Sequence, residues 1–367
     1  MVDARTGEPV PEARIRVLAP RVEETVTDRA GAFELELLAQ PVELEASRQG
    51  YEPQRITVAI SDTVITVSLQ PHAIPVASVE VTTTRAVDRK SAVAFTDLSR
   101  PAIQEKYWAQ DVPMLLAETP GVYAYSDAGN GIGYSYVKVR GFPQRRVAVT
   151  INGIPLNDPE THEVYWVDHP DLLSSAQSLQ VQRGVGSALY GASAVGGSVN
   201  LETLTIPTER RIAVEAGGGT YDTKRLSLQY ESGLLDGRYA VAGRYSRIES
   251  QGYRELSWSR LWSYYFTAAR IDPRVTTRVN FYGGPERLHL AYYGVDRSYL
   301  DGLITGDAKE DRRLNPLNWR NETDNFFEPH YELIQNVKLS DRAALTSSAF
   351  YFPGNGYYDD LPYGPQS

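Results

Sequence analysis

The chain has no cysteine among its 367 residues. That removes disulfides and thiolate metal ligands, and it permits an oxidising compartment without requiring one. No run of about 20 apolar residues occurs, so no helix long enough to cross a bilayer is expected. Membrane-crossing strands are untouched by that absence, because they signal by alternation. Histidine is scarce, with five at positions 72, 162, 169, 289 and 330. No two have the spacing of a zinc-binding helix, so the sequence suggests neither a metal site nor a cofactor. Basic charge is outweighed: 37 Lys and Arg against 46 Asp and Glu give a net charge of -9. With no basic aromatic patch, a nucleic-acid partner is not expected. A charged-then-apolar leader is also missing. Both ends, MVDARTGEPVPEARIRV and LPYGPQS, read as interior sequence, so a piece cut at both ends is expected.

What is present centres on residues 113–203. Val137, Val139, Val147, Val149 and Ile151 supply β-branched side chains in short alternations cut by glycines. Arg140-Gly141 and Arg183-Gly184 stand at strand ends, and Asn152-Gly153 is a tight-turn pair. Residues 168–176 read as one short helix with an acid near its start. Residues 111–116, DVPMLL, read as another, since proline suits a helical first turn. Met114 and Leu115 are expected in the core.

The words ETPGV, VRGF, INGIPLND, VQRG and SALYGASAVGGSVN occur in this order from Glu118 onward. Together they resemble the plug domain of TonB-dependent outer-membrane receptors, in the ferric-citrate-receptor-like group of Bacteroidetes type. One departure is Val185, where that family usually has proline. Residues 1–70, with TGEPVPEARIRV, TDRAGAFEL and ASRQGYEP, resemble a carboxypeptidase-regulatory-like β-sandwich lacking its opening strand. Strands are expected there at 13–18, 32–38, 42–46, 55–60 and 64–69, with a turn at 29–31. Asp28 suits that turn better than a calcium site, and no catalytic constellation stands out.

Residues 71–87 form a linker. Within it, Val76, Val79, Glu80, Val81, Thr82 and Thr83 make a short β-prone run able to add to a partner's sheet edge. The resemblance implies that this is the TonB box, pulled by the inner-membrane TonB complex; an ordinary plug strand or connecting strand is the alternative. The plug is expected at 88–205. Two of its loops are candidate ligand surfaces, 123–136 and 157–166. The candidates are Tyr123, Tyr125, Asn130, Tyr134, Glu160, His162, Tyr165 and Trp166, with Arg145 and Arg146 beside them; packing against the barrel wall is the competing role. Arg297, Arg312 and Arg313 could serve an anionic ligand or pair with Glu310, Asp311 or Glu322. By resemblance, Arg140 and Arg183 are expected to pair with acids on the barrel wall.

From residue 210 the texture changes to long alternating strands, expected near 211–217, 226–231, 238–246, 258–271, 275–281, 330–339 and 343–352. Turns at 232–237, 272–273 and 340–341 are short, whereas a long external loop is expected over 283–329. That asymmetry, with tyrosine and tryptophan fit for an aromatic girdle, is the polarity of an outer-membrane barrel. The expected fold is mainly β: a small sandwich, a mixed α/β plug, and the first seven or so strands (210–367) of an incomplete 22-stranded transmembrane barrel.

The function implied is TonB-driven uptake of a scarce ligand, an iron chelate first, with no enzyme chemistry. A SusC-like oligosaccharide importer with its surface lipoprotein, or a cobalamin receptor, is the nearest alternative. A passive porin and a secreted adhesin are more distant ones.

Overall fold

The structure, a computed structural model, describes residues 1–4, 6–19, 23–35, 42–48, 51–58, 64–70, 85–184, 194–203, 206–340 and 343–359. The linker run 76–83 and Val185 lie outside these residues. Two compact units divide the chain, the first being Met1–Ser78 with a short insertion and the second nearly everything from Val79 onward.

In the first unit, β2 (Arg14–Ala19), β3 (Glu24–Val26), β4 (Val42–Ser47) and β5 (Gln54–Val58) form an antiparallel sheet in the order β3-β2-β4-β5. A short parallel pair, β1 (Val2–Asp3) with β6 (Ser68–Leu69), stands beside it. Ile15, Val17, Val42, Leu44 and Ala46 alternate inward to make the core. Two expected strands are corrected. Residues 32–35 are not strand, because Asp28 Oδ1 accepts from the backbone N–H of Ala30 and Ala32 at 2.8 and 2.9 Å and turns the chain. Phe33 and Leu35 still pack on the core. The strand expected over 64–69 shrinks to its last two residues.

The second unit opens with β7 (Ala94–Ser99), α1 (Arg100–Lys106) and α2 (Val112–Leu116), the latter with Asp111 as N-cap and proline in its first turn. Then come β8 (Val122–Ser126), β9 (Ser135–Val139), β10 (Phe142–Pro143), β11 (Val147–Ile151), β12 (Ile154–Pro155), β13 (Ala176–Arg183) and β14 (Gly197–Thr203). Five of these strands make a mixed sheet, β12-β11-β14-β13-β7, in which only β11 and β14 run parallel; the other three make β10-β9-β8. The Asn152-Gly153 pair turns β11 into β12 with φ of 54° and 79°, the signature of a type I′ hairpin. Arg140-Gly141 does the same between β9 and β10, at φ 51° and 83°. Gly197 is required for another reason: a Cβ there would meet the Gln182 carbonyl oxygen at 2.3 Å. The core holds Leu115, Leu116, Val137, Val149, Leu179 and Val199. Each such fully buried aliphatic side chain contributes about 1.5–3 kcal/mol.

The helix expected over 168–176 is absent. Two 3-10 turns, Trp166–Asp168 and Leu172–Ser175, flank His169-Pro170-Asp171 instead. Pro170 disfavours a helical residue before it, and Asp171 sits at φ 55°.

The wall follows: β15 (Arg210–Gly219), β16 (Thr223–Ser232), β17 (Tyr239–Ser250), β18 (Ser259–Ile271), β19 (Val275–Gly283), β20 (Glu286–His289), β21 (Thr323–Phe327), β22 (His330–Ser340), β23 (Ala343–Tyr351) and β24 (Asn355–Tyr358). Seven long strands run antiparallel in the order β15-β16-β17-β18-β19-β22-β23. Those of β15 to β18 have 10 to 13 residues, enough to cross a bilayer at a tilt, which takes about 9–11. The segment expected as one long loop over 283–329 is in fact partly built. β20 pairs with β18 and β21, β21 pairs with β24, and α3 (Arg297–Leu300) and α4 (Ala308–Asp311) lie between them.

The wall's faces are inverted relative to a water-soluble sheet. Leu226 and Phe266 are 58% and 44% exposed, while Arg244 and Ser246 are 5% and 0% exposed. Along β16 to β19 the outer residues include Leu228, Val241, Tyr245, Trp262 and Val279, and the inner ones Ser227, Gln229, Ser263, Thr267 and Asn280. An apolar outside suits lipid, and the polar inside is covered by the central domain.

Candidate functional site

Side chains of the central domain meet the wall's inner face at three places. At the first, Asp171 accepts hydrogen bonds from Tyr107 and from Arg244 of β17, and Arg225 of β16 binds its Oδ1 at 3.1 Å. The guanidinium groups are held in turn by serines. Arg225 donates to Ser174 Oγ at 2.7 Å, and Arg244 to Ser175 Oγ at 2.8 Å and Ser263 Oγ at 2.9 Å. Arg225 also lies over the Tyr107 ring at 5.3 Å. Burial alone would raise the Asp171 pKa, but Arg244 and Arg225 overcome it and hold the carboxylate below its ordinary value.

At the second, Glu332 of β22 accepts from Asn152 Nδ2 at 2.9 Å, Asn280 Nδ2 at 2.7 Å and the Tyr282 hydroxyl at 2.7 Å. Asn152 is the same residue that turns the β11–β12 hairpin. Its Oδ1 accepts from the N–H and hydroxyl of Thr203, both at 3.0 Å, so one turn residue ties strand end to wall.

The third place is acidic. Asp168 faces Glu328, Glu286 and Asp324. Burial first, and then Glu328, raises its pKa. Tyr134 donates its hydroxyl to Asp324. Neighbouring His169 is buried and close to His330, which together lower its pKa and keep the ring neutral.

Above this acidic seam a cleft of about 450 Å³ opens between Tyr134, Tyr136 and the wall residues Leu290, Tyr292, Asp324 and Tyr358. Tyr136 stacks on Tyr125 with ring centroids 4.9 Å apart, and Tyr125 lies 6.0 Å from Tyr123. Tyr136 donates to Asp127 at 3.1 Å. Burial pushes the Asp127 pKa up to about 6, against the opposing pull of Tyr136 and Arg254.

The anticipated ligand residues are therefore sorted. Tyr123 and Tyr125 are exposed, and Tyr134 lines the cleft. Asn130 is not free for a ligand: its amide donates to Ser250 Oγ at 2.8 Å, and the backbone of Tyr253 donates to Ala128 beside it. Trp166 is a core residue at 3% exposure, its indole N–H donating to Gln144 Oε1 at 3.2 Å. Glu160, His162 and Tyr165 are exposed on their loop, and Glu163 acts electrostatically on both Tyr125 and Tyr136, so the two loops share a face. Arg145 and Arg146 are exposed in a 3-10 turn before β11.

The arginine expectations change more. Arg183 donates to Thr96 Oγ1 at 2.5 Å and to the Phe95 carbonyl at 3.2 Å, inside the central domain. Arg140 lies in the β9–β10 turn against Gly184. Neither meets a wall acid among the described residues. The ion pair runs the other way, from wall arginines 225 and 244 to Asp171. Arg297 pairs with Asp301 at 3.1 Å, Arg312 donates to Leu300 O and Arg313 to Tyr253 O. Asp171, Glu286, Asp324 and Glu332 were missed because a lone acid in a strand or turn carries no pattern; only the neighbours that folding brings to them mark them.

A plug-like domain seated by polar contacts in a lipid-facing wall is the architecture of one class of protein. The family model described as TonB-dependent Receptor Plug Domain matches residues 87–198, and that of the Carboxypeptidase regulatory-like domain matches residues 1–70. The chain thus carries the plug domain of the TonB-dependent receptors, preceded in sequence by a carboxypeptidase regulatory-like domain. Among curated relatives, the Ferrioxamine B receptor of Salmonella typhimurium is 30% identical over 290 residues, covering 71% of this chain and 38% of that protein. The Vitamin B12 transporter BtuB of Photobacterium profundum is 32% identical over 127 residues, 34% of this chain and 20% of that protein. The chain thus spans well under half the length of these relatives. In fold it is similar to the ferric citrate transporter FecA in the unliganded form, with a TM-score of 0.56 at 20% identity over 74% of this chain and 41% of that one. It is similar also to P. aeruginosa FpvA in complex with a heterologous pyoverdine and iron, with a TM-score of 0.60 at 14% identity over 77% and 38%.

Proposed function

We propose that the receptor takes up an iron chelate of low molecular weight across the outer membrane, driven by the inner-membrane TonB complex. The observation that carries this reading is a plug held by polar contacts on the inner face of a lipid-facing wall, with a tyrosine-lined cleft where the two meet. Tyrosine faces and hydroxyls suit a polar, partly planar ligand bound by stacking and hydrogen bonds. Tyr123, Tyr125, Tyr134 and Tyr136 are the residues proposed to touch it, and Arg145 and Arg146 to attract it if anionic. The ligand passes whole and no bond in it is broken, so the protein is not an enzyme and needs no cofactor. Residues 71–87 serve as the linker, in which Val76, Val79, Glu80, Val81, Thr82 and Thr83 pair with a TonB strand edge.

Two measurements on the full-length receptor test this. Replacing Val79 and Val81 by proline removes backbone N–H groups that strand addition needs, so uptake stops while ligand binding persists; undiminished uptake removes the TonB box from this position. Binding is then compared for ferric citrate, a catecholate, a hydroxamate, cobalamin and oligosaccharides. An iron chelate is expected to be retained. A second reading, cobalamin, is favoured by the vitamin B12 transporters among the relatives, and selective cobalamin binding would establish it in place of iron.

A further inference from the structure

The five histidines, scattered in sequence, are not all scattered in space. His169 of the plug and His330, the first residue of β22, are buried edge to face with ring centroids 4.8 Å apart. Glu328, two residues before His330, places Oε1 3.0 Å from His330 Nε2. The three residues each offer one donor atom within 4.8 Å of the others. Two further observations point to a cation. The Nδ1 atoms of both rings are buried without a hydrogen-bond partner, as are both carboxylate oxygens of Glu286 nearby. Such atoms are costly to bury unless something occupies them. Asp168, which adjoins His169, faces the carboxyl groups of Glu328, Glu286 and Asp324, so further oxygen donors lie near the imidazole pair.

We propose that His169, His330 and Glu328 form a binding site for one divalent transition-metal ion of the zinc type, bridging plug and wall. Two imidazoles and a carboxylate are the donor set such ions take, with a fourth position open to water. Metal–nitrogen bonds of about 2.0–2.1 Å place tetrahedral donors about 3.3 Å apart. Binding therefore draws the donors together by up to about 1.5 Å, a distance side-chain rotation supplies. Because His169 belongs to the plug and the other two ligands to the wall, the ion acts as a clamp between them. The inference rests on the plug–wall contact and not on which ligand is transported, so it stands or falls separately from the iron-chelate reading.

The test uses the full-length receptor in detergent, stripped with a chelator and titrated with Zn²⁺. One ion per receptor is expected to bind. His169→Ala or His330→Ala should weaken binding by more than the 10–100-fold that loss of an outer-shell partner costs, while His162→Ala, on an exposed loop, leaves it unchanged. No stoichiometric Zn²⁺ binding, or equal binding in all three variants, overturns the site. Should the buried variants fail to fold, X-ray absorption on the zinc-loaded wild-type receptor decides. Scattering from two imidazoles at about 2.0–2.1 Å supports the site, and a shell without imidazole refutes it.

Discussion

Asp168 and Asp171 are the same residue type, three positions apart, both buried in the plug beside the wall. Their surroundings are opposite. Asp171 is met by two arginines, a tyrosine and their supporting serines, and is held as a carboxylate. Asp168 is met by other acids, and burial holds its proton on. One seam is locked by opposite charge; the other stays closed only while its charge is suppressed or compensated. The first seam resists separation of plug and wall, whereas the acids of the second would ionise on exposure to water.

The largest expected effect comes from the locked seam. Asp171→Ala strands the Arg225 and Arg244 guanidinium groups in a buried site, and loss of one partner from a buried ion pair costs about 3–5 kcal/mol. Urea unfolding of the receptor, followed through plug tryptophan fluorescence, should show that loss; a change below about 1 kcal/mol would mean the pair is effectively solvated and the comparison fails. Glu332→Ala comes next, because it leaves the Asn152, Asn280 and Tyr282 donors unpaired. A loss of about 2–3 kcal/mol is expected by the same assay.

A partly buried acid beside the cleft, Asp127, should respond to pH instead. Asp127 has a folded pKa of about 6 against an ordinary 3.8. A carboxyl whose folded pKa is raised binds more protons folded than unfolded between those values, so stability falls as pH rises from about 4 through 6 and then levels. The fall attributable to this residue is at most about 3 kcal/mol. Asp127→Asn should flatten that part of the profile; an unchanged profile would show that Asp127 titrates normally.

The smallest effect on stability, and the sharpest on function, is expected at the cleft. Tyr125→Ala on the exposed edge should change unfolding by no more than about 0.5 kcal/mol. It should weaken binding of the transported chelate about tenfold, the loss of roughly one stacking contact. Unchanged affinity would move the ligand surface away from the Tyr123–Tyr125–Tyr136 face.

Much of this architecture is legible in the sequence because its signals are local. The alternation of Leu226, Leu228 and Tyr230 with Ser227 and Gln229 identifies a two-faced strand whatever it pairs with, and Asn152-Gly153 announces its hairpin through the backbone conformations glycine and asparagine tolerate. Five short motifs in order marked the plug. The site was less legible. Trp166 in a polar loop reads as a ligand contact, yet its indole is drawn into the core beside Gln144. Arg140 and Arg183 read as wall contacts, yet the wall supplies the arginines and the plug the acid.

The sequence by itself determined the strand periodicity, the tight turns and the class of protein, since each depends on residues within a few positions of one another. Only the tertiary structure decided which charges meet. Asp171 and Arg244 are 73 residues apart, and His169 and His330 lie still further apart along the chain. A lone charged side chain carries no periodicity, and its ionisation and partners are set by the burial and neighbours that folding brings to it.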